Sequence, residues 1–210
     1  MSGGATVPPA YLGLWRRSEI RRADGSRDAS TRVLWLQGER YHIDLRIPVD
    51  RPALAHAGQL ERMSAAQAAR LGAQIAFAGT TVVDGARCEW HPEIAFPAVS
   101  EVLDAGWMRF DAPDRLHEAG LDGSYDEDWE RLEGGPVAGT RFDEGDGAVG
   151  YLLVGASWAA WARGRRDDAY PGRWSEFCFA RRDHDGWRIV ASNQPWLEGQ
   201  RITNSPWTRL

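Results

Sequence analysis

The chain has 210 residues, of which 43% are hydrophobic and 26% charged, and its formal net charge is −5. This composition is typical of a soluble globular protein, and no apolar run approaches the roughly 20 residues needed to cross a bilayer. The acidic balance argues against binding of nucleic acid or a membrane surface, and the absence of lysine among the 25 basic residues excludes enzymes that need a lysine Schiff base.

The first half of the chain is predicted to consist mainly of strands. Residues 1–9 lack the basic segment and apolar stretch of a secretory signal, so we expect a short disordered lead-in to a cytoplasmic protein. A single short helix is predicted near 64–71, capped by Ser64 and ended by Gly72. β-branched and aromatic residues between turn residues predict strands at 11–19, 32–38, 40–47, 74–82, 87–96 and 106–110.

The second half is also predicted to consist mainly of strands, after a loop at 111–124. Residues 145–150 match the G-x-G-x-x-G pattern, but a strand-like run begins at Tyr151, so they predict a hairpin loop rather than a dinucleotide site. Many strands with almost no helix favour an antiparallel barrel or sandwich, and therefore an all-β fold. The predicted strands are 126–132, 149–162, 174–182 and 186–194.

An internal repeat is indicated by the spacing Tyr-x-x-x-Trp-x-Arg, which occurs at 11–17 and again at 125–131. An Asp-Gly pair, typical of a tight hairpin, follows in each half at 84–85 and 185–186. Repetition of landmarks in the same order predicts two pseudo-repeated halves. The expected halves are 1–112, which carries the helix as an insertion, and 113–210.

Gly13-Leu14-Trp15 matches the G-x-W signature with which lipocalin-like barrels open their first strand. Further motifs follow in the order Trp35-Leu36-Gln37, Asp44-Leu45-Arg46-Ile47-Pro48, Ala76-Phe77-Ala78-Gly79-Thr80, Glu118-Ala119-Gly120 and Tyr125-x-Glu127-x-Trp129. Together they resemble the HRI family, fungal and bacterial proteins of largely unknown function, over about residues 11–190. The resemblance implies a duplicated lipocalin-like, or calycin, β-barrel, and it implies no reaction and no catalytic residues.

Two of the tryptophans are predicted to line a ligand cavity. Trp35 and Trp129 each have a polar residue two positions away, Gln37 and Glu127, which shares a strand face with the ring. An aromatic wall with a polar group is typical of a small-molecule site. Tyr125, near the junction of the halves, is expected to belong to the same ligand-binding set.

A polar row on the third predicted strand supplies a candidate anchor. His42, Asp44 and Arg46 share one face of residues 41–47, and apolar residues share the other. In a ligand-binding barrel, Arg46 would hold a carboxylate or another anion through paired donors, and Asp44 would orient it. The alternative is that the apolar row faces the core and the polar row faces solvent.

Three residues are candidates for proton transfer. Glu89 and His91 share a strand face, where a carboxylate can polarise an imidazole, and the alternative is a solvated rim. Glu127, with Glu118 and Tyr125, lies at the junction of the halves, and paired carboxylates there suit acid–base chemistry. The alternative for this acidic stretch is a solvated strand edge.

No metal or cofactor site is predicted. The five histidines lack H-x-H and H-x-x-x-H spacing, which metal-binding histidines commonly show. Cys88 and Cys178 are too few for a disulfide framework, so each is expected to be a buried free thiol.

The leading functional prediction is a lipocalin-like protein that binds a small apolar or aromatic molecule in a tryptophan-lined cavity. Its polar anchor would be the Arg46–Asp44 pair or Glu127. The first alternative is a cofactor-independent isomerase, cyclase, lyase or hydrolase that uses His, Glu and Asp side chains in the barrel pocket. The second alternative is an interaction protein with a solid core and an exposed apolar face.

Overall fold

The structure, a computed structural model, describes residues 6–100, 102–145, 147–165 and 175–202. The first five residues of the predicted lead-in therefore lie outside the described residues. Helix α1, Ala65–Gly72, confirms the predicted helix: the Ser64 hydroxyl accepts a hydrogen bond from the Gln67 backbone N–H at its start. Shorter 3-10 helices span Pro9–Tyr11, Ala57–Arg62 and Pro195–Leu197. In the described ranges, the helices are all too short or too polar to cross a bilayer.

Fourteen strands form two antiparallel sheets in the described part of the chain. They are β1 Gly13–Arg22, β2 Arg27–Asp28, β3 Arg32–Gln37, β4 Tyr41–Ile47, β5 Ile75–Asp84, β6 Arg87–Phe96, β7 Asp104–Ala112, β8 Arg115–Gly120, β9 Tyr125–Gly134, β10 Ala138–Gly145, β11 Ala148–Val154, β12 Trp158–Arg165, β13 Glu176–Asp183 and β14 Gly186–Ser192. Strand β1 pairs with β3 on one side and with β9 on the other, so β1 and β3 to β9 close a barrel. The predicted all-β barrel fold is confirmed.

The second sheet, β10 to β14, packs on the outside of the barrel and creates a second core. Alternate residues of a barrel strand point in opposite directions, so one row of β3 and β4 faces the barrel interior and the other faces this sheet. Leu36 and Ile43 pack outward against Tyr151 and Phe179 in one apolar cluster. Both faces of β4 are therefore covered.

The interior of the barrel is filled mainly by aromatic side chains. Trp15, Trp35, Trp90 and Trp129 belong to one buried cluster, which also contains Met108. Each of these rings removes a large apolar area from water. The tryptophan-rich composition therefore builds the barrel core.

The segment before β1 covers one end of the barrel. Tyr11 packs edge-on against Phe110 at 5.0 Å between ring centroids, and its backbone carbonyl accepts a hydrogen bond of 2.8 Å from Trp15 Nε1. The backbone N–H of Val7 donates to the carbonyl of Glu39 in the β3–β4 turn. This end is closed, so access to the barrel interior must come from the opposite end.

The two copies of the Tyr-x-x-x-Trp-x-Arg motif lie beside each other on β1 and β9. Because the strands are antiparallel, Trp15 is paired with Arg131 and Arg17 with Trp129. The Arg131 guanidinium carbon lies 4.4 Å from the Trp15 ring centroid, a cation–π contact. The repeated spacing thus joins the first and last strands of the barrel.

The boundary between the sheets falls at 135–137, between β9 and β10. The predicted halves meet at 112/113, whereas β8 and β9, which follow that position, pair within the barrel. Because β9 must pair with β1 to close the barrel, β8 and β9 both belong to the first sheet.

Three strand predictions in the second half need correction. The predicted loop 111–124 contains β8, the segment before 149 contains β10, and the predicted strand 149–162 is divided into β11 and β12 by a turn at 155–157. The hairpin predicted at 145–150 is confirmed between β10 and β11, with Gly145 and Gly147 at positive φ; Asp146 lies outside the described residues. The hairpin at Asp84-Gly85 is also confirmed.

Gly13 is a position where barrel closure requires glycine. Its φ is +125°, and a Cβ there would lie 2.0 Å from the Glu133 carbonyl oxygen on β9. We expect Gly13→Ala to lower the free energy of unfolding by about 2–5 kcal/mol, through backbone strain and overpacking. Urea denaturation followed by tryptophan fluorescence measures the change.

Gly25→Ala is the matched control, because Gly25 also has positive φ, +84°, but open space around its missing Cβ. Gly25→Ala should lower the free energy of unfolding only through backbone strain at positive φ, by about 1–2 kcal/mol. Equal losses in the two variants would contradict the close approach of β1 and β9.

Candidate functional site

The predicted tryptophan-lined cavity is filled by the tryptophans themselves. The Trp35 ring lies 5.5 Å from Trp90 and 5.6 Å from Trp129 between centroids, both edge-on, and 6.2 Å from Trp15. The space left between Trp35, Asp44, Arg46, Phe77, Trp90, Glu118 and Trp129 is about 10 Å³. That is close to the volume that a single water molecule needs, so this void excludes an organic ligand.

Gln37 holds the inner polar network together. Its Oε1 accepts hydrogen bonds from Trp35 Nε1 at 3.0 Å and from the Thr81 hydroxyl at 2.9 Å, and its Nε2 donates to the Gly38 carbonyl at 2.8 Å. Gln37 and Trp35 are both buried. The structure therefore places Trp35 and Gln37, which were predicted to bind a ligand, within the filled core.

His42 is a neutral member of the same network. Because Thr81 uses its only proton on Gln37, its oxygen accepts from His42 Nδ1 at 3.0 Å. Burial, together with the neighbouring charge of His91, lowers the pKa of His42 to about 3. Its Nε2 has no hydrogen-bond partner among the described residues.

The polar row of β4 faces the barrel interior, so the alternative of a solvated row is wrong. Arg46 Nε donates to Asp44 Oδ1 at 2.9 Å, and Arg46 Nη2 lies 3.7 Å from Asp104 Oδ2. The Asp44 side chain is 4% exposed and that of Arg46 24%. Burial raises the pKa of Asp44 to about 6, and the Arg46 charge opposes the rise. Both residues lie near the open end of the barrel.

Glu118 is the central carboxyl group of the interior. Its Oε1 accepts a hydrogen bond of 2.7 Å from the Tyr125 hydroxyl, and its Oε2 accepts one of 3.1 Å from Trp129 Nε1. Burial raises the pKa of Glu118 well above 4.5, and the charges of Glu127 and Asp104 add to the rise. Glu118 therefore keeps its proton to a higher pH than an exposed glutamate does.

A glycine pair makes room for Glu118 and Tyr125. Gly106 on β7 and Gly120 on β8 are register partners. A Cβ at Gly106 would lie 2.7 Å from Glu118 Cγ, and one at Gly120 would lie 2.7 Å from Tyr125 Cε1. Larger residues at these positions would displace both functional side chains, and this glycine requirement was not foreseen from the sequence.

Glu127 forms a buried ion pair that joins β9 to β1. Its Oε1 accepts a hydrogen bond of 2.7 Å from Arg17 Nη1, and Arg17 Nη2 also lies 3.5 Å from Asp28 Oδ2. The side chains of Arg17 and Glu127 are 5% and 3% exposed. Removing one partner from such a pair leaves an unpaired buried charge. Glu127 is thus committed to Arg17.

Glu89 and His91 lie apart from Glu127, on the outer face of β6. His91 Nε2 is 3.0 Å from Glu89 Oε2, and Glu89 Oε1 also pairs with Arg87 at 2.7 Å. The His91 side chain is 44% exposed. The structure forms the predicted carboxylate–imidazole contact at a solvated rim and does not bring the three predicted catalytic residues into one site.

A cleft of about 560 Å³ lies at the open end of the barrel. Its walls come from β5, β6, the segment that follows β6, and the β8–β9 turn, and they are largely apolar. The polar groups at its surface include Arg46, Asp104, Asp122, Ser124 and Tyr125. Its apolar lining consists of Ile75, Ala76, Phe77, Pro92, Ala95, Phe96, Pro97, Ala98, Val102, Leu103, Ala105 and Leu121.

A second groove, of about 550 Å³, lies between the barrel and the outer sheet. Two of its polar groups are already engaged with a third: Arg141 binds both carboxylate oxygens of Glu93, and the Tyr151 hydroxyl donates to the same carboxylate. The cleft at the barrel end combines apolar walls with Arg46 and Tyr125, each hydrogen-bonded to a buried carboxyl group, and it is the better candidate site.

The two predicted free thiols are confirmed as buried and unpaired cysteines. Cys88 lies in the barrel interior and Cys178 in the outer sheet. Burial raises the pKa of both thiols, so neither has the reactive thiolate character of a nucleophile.

Comparison with known proteins gives a fold and no activity. No protein-family model and no curated protein matches the chain. The chain is similar in structure to the uncharacterized protein YLR301w from Saccharomyces cerevisiae, with a TM-score of 0.58 and 14% sequence identity over 92% of this chain and 89% of that one. Similarity at this identity shows the fold alone, and function must be argued from the site.

The raised pKa of Glu118 makes the free energy of unfolding depend on pH. The pKa of Glu118 in the folded protein lies above the unfolded value of 4.5, so the folded state binds this proton more tightly. The resulting stabilisation is complete below pH 4.5 and is lost as the pH rises toward the folded pKa. Glu118→Gln is permanently neutral. The variant does not lose this stabilisation as the pH rises, whereas the wild type does. The unfolding free energy of the variant minus that of the wild type should therefore increase toward neutral pH, by at most about 1.4 kcal/mol per pH unit.

Glu130→Gln is the control for this titration. The hydrogen bond from Arg16 lowers the pKa of Glu130 in the folded protein, so the wild type gains stability from this group as the pH rises. The unfolding free energy of Glu130→Gln minus that of the wild type should therefore decrease toward neutral pH. Urea denaturation at a series of pH values measures both differences. A flat difference for Glu118→Gln would show that Glu118 ionises normally.

Proposed function

We propose that the protein binds a small, largely apolar molecule in the cleft at the open end of the barrel. The observation that supports this function is the cleft itself, whose volume of about 560 Å³ falls within the range of small-molecule sites, roughly 300–1,000 Å³. Such sites combine apolar walls with a few oriented polar groups. Arg46 and Tyr125 supply those groups here.

The predicted ligand-binding residues divide into two layers in this proposal. Arg46 and Tyr125 contact the ligand, since both line the cleft. Asp44 orients Arg46 through its hydrogen bond, and Trp129 orients Glu118 behind Tyr125. Trp35 and Gln37 are hydrogen-bonded to each other within the core and do not line the cleft. A filled interior keeps the contact residues rigid, which favours binding without reorganisation.

The binding mode we propose is that of a lipocalin-like barrel whose ligand enters from one end. The consecutive strand order from β3 to β9, closed by β1, supports this interpretation, because up-and-down barrels of eight strands commonly hold one small ligand. We also propose membership of the HRI family on the motifs at 13–15, 44–48 and 125–129.

A second candidate function is proton transfer to the bound molecule, as in a cofactor-independent enzyme. The observation that favours it is the pair of buried carboxyl groups with raised pKa values, Asp44 and Glu118, behind the cleft. Glu118 reaches the cleft through Tyr125, and Asp44 through Arg46. Binding needs only the groups that line the cleft, and it remains the leading proposal.

A neutral fluorescent probe, N-phenylnaphthylamine, tests binding in the cleft. We expect its fluorescence to rise in the presence of the protein, and Leu103→Asp to weaken its affinity by about tenfold or more, because a charge replaces an apolar wall. Leu103 lines the cleft and is 45% exposed, so the substitution should not disturb the core.

Leu132→Asp is the matched control, since Leu132 is 38% exposed and lies outside the cleft lining. Its affinity for the probe should stay within about twofold of the wild type, as expected for a surface substitution away from the site. Equal weakening in both variants, or no binding by the wild type, would refute the proposed site.

A further inference from the structure

Arg46 and Asp104 form a loose ion pair in the lining of the cleft. Their side chains are 24% and 33% exposed, and Arg46 Nη2 lies 3.7 Å from Asp104 Oδ2. This separation is longer than the roughly 2.7–3.2 Å of an N–H···O hydrogen bond. The two groups attract each other, but neither satisfies the hydrogen-bonding capacity of the other.

The position of the Arg46 guanidinium is set by two other neighbours. Its Nε donates a hydrogen bond of 2.9 Å to the buried Asp44, and its Cζ lies 5.2 Å from the centroid of the Phe77 ring, a cation–π contact. Within the described ranges, Asp44 is the group that accepts a hydrogen bond from Arg46, through Nε, and the two Nη groups donate none. Arg46 therefore keeps N–H donors for a ligand in the cleft.

Asp104 supplies an acceptor beside these donors. In the part of the chain that the structure describes, its carboxylate accepts no hydrogen bond. Tyr125, which also lines the cleft, adds no donor, because its hydroxyl donates to Glu118 Oε1 at 2.7 Å. The polar part of the cleft thus presents the donors of Arg46 next to the acceptor oxygens of Asp104.

The charges of the lining disfavour a charged ligand of either sign. An incoming carboxylate would meet the like charges of Asp104 and Asp122, both of which line the cleft, and would compete with Asp44 for Arg46. An ammonium group beside Asp104 would meet the Arg46 guanidinium, 3.7 Å from that carboxylate. A neutral group that carries both an acceptor oxygen and an N–H donor avoids both kinds of repulsion.

We infer that the apolar ligand carries a primary carboxamide or a lactam, whose C=O accepts from Arg46 and whose N–H donates to Asp104. In these amides the C=O and an N–H point to the same side, whereas the trans secondary amide of a peptide points them in opposite directions. The inference rests on the proposed function and names its ligand class. Here Arg46 binds a carbonyl oxygen, in place of the carboxylate expected from the sequence.

Three naphthalenes of similar size test the inference by displacing N-phenylnaphthylamine: naphthamide, acetylnaphthalene and naphthoic acid. Asp104→Ala should weaken naphthamide by about fivefold or more, because a hydrogen bond to a charged group is lost, and leave acetylnaphthalene, which has no N–H, within about twofold. Retained binding of this ketone shows that the variant is folded. Naphthoic acid, ionised at neutral pH, should bind Asp104→Ala more tightly than the wild type, because a like charge is removed.

Asp111→Ala is the matched control, since it removes the same charge outside the cleft lining. The Asp111 carboxylate accepts a hydrogen bond of 2.8 Å from Arg109 and is 52% exposed. All three affinities should stay within about twofold of the wild type.

Three outcomes would overturn the inference and leave the proposed binding cleft intact. They are equal effects of Asp104→Ala on naphthamide and acetylnaphthalene, unchanged naphthamide binding in that variant, and tighter binding of naphthoic acid than of naphthamide by the wild type. The last comparison needs no variant, so it tests the inference even if Asp104→Ala does not fold. Failure of every probe to bind the wild type would instead refute the proposed function.

Discussion

The pairing of β1 with β9 closes the barrel, and closure determines the environment of every side chain that faces inward. Alternate residues of each strand must enter a space from which water is excluded. Four tryptophans pack together in that space, while Glu118 and Glu127 place carboxyl groups within it. Buried polar groups need partners. Glu127 accepts a hydrogen bond from Arg17, and Glu118 accepts hydrogen bonds from Tyr125 and Trp129.

The second sheet explains why the cleft lies at one end of the barrel. It covers the outer faces of β3 and β4, and the segment before β1 covers the opposite end. The remaining opening exposes Arg46 and Tyr125, the outermost members of the buried polar network. A rigid, filled interior thus supports a small number of polar contacts at the bottom of an apolar cleft, as a selective small-molecule site requires.

The sequence predicts the alternation of β4 but not which of its two faces is inside, because both faces are buried against different layers. β8 was not predicted from the sequence because the charged residue Glu118 occupies one of its inward-facing positions. An apolar residue there would have produced the alternating pattern of a strand. β10 is an exposed edge strand with little apolar patterning. The roles of Gly106 and Gly120 depend on cross-strand packing, which spacing along the chain does not encode.

The protonation state of Glu118 links barrel closure to the chemistry of the cleft, and carbon-13 NMR measures it directly. In protein labelled with carbon-13 at the glutamate carboxyl carbons, the resonance missing from Glu118→Gln identifies Glu118. Burial, Glu127 and Asp104 hold its pKa well above 4.5, so in a pH titration this resonance should keep the chemical shift of a neutral acid after exposed glutamates have ionised. A titration midpoint of Glu118 that coincides with those of exposed glutamates would contradict this account.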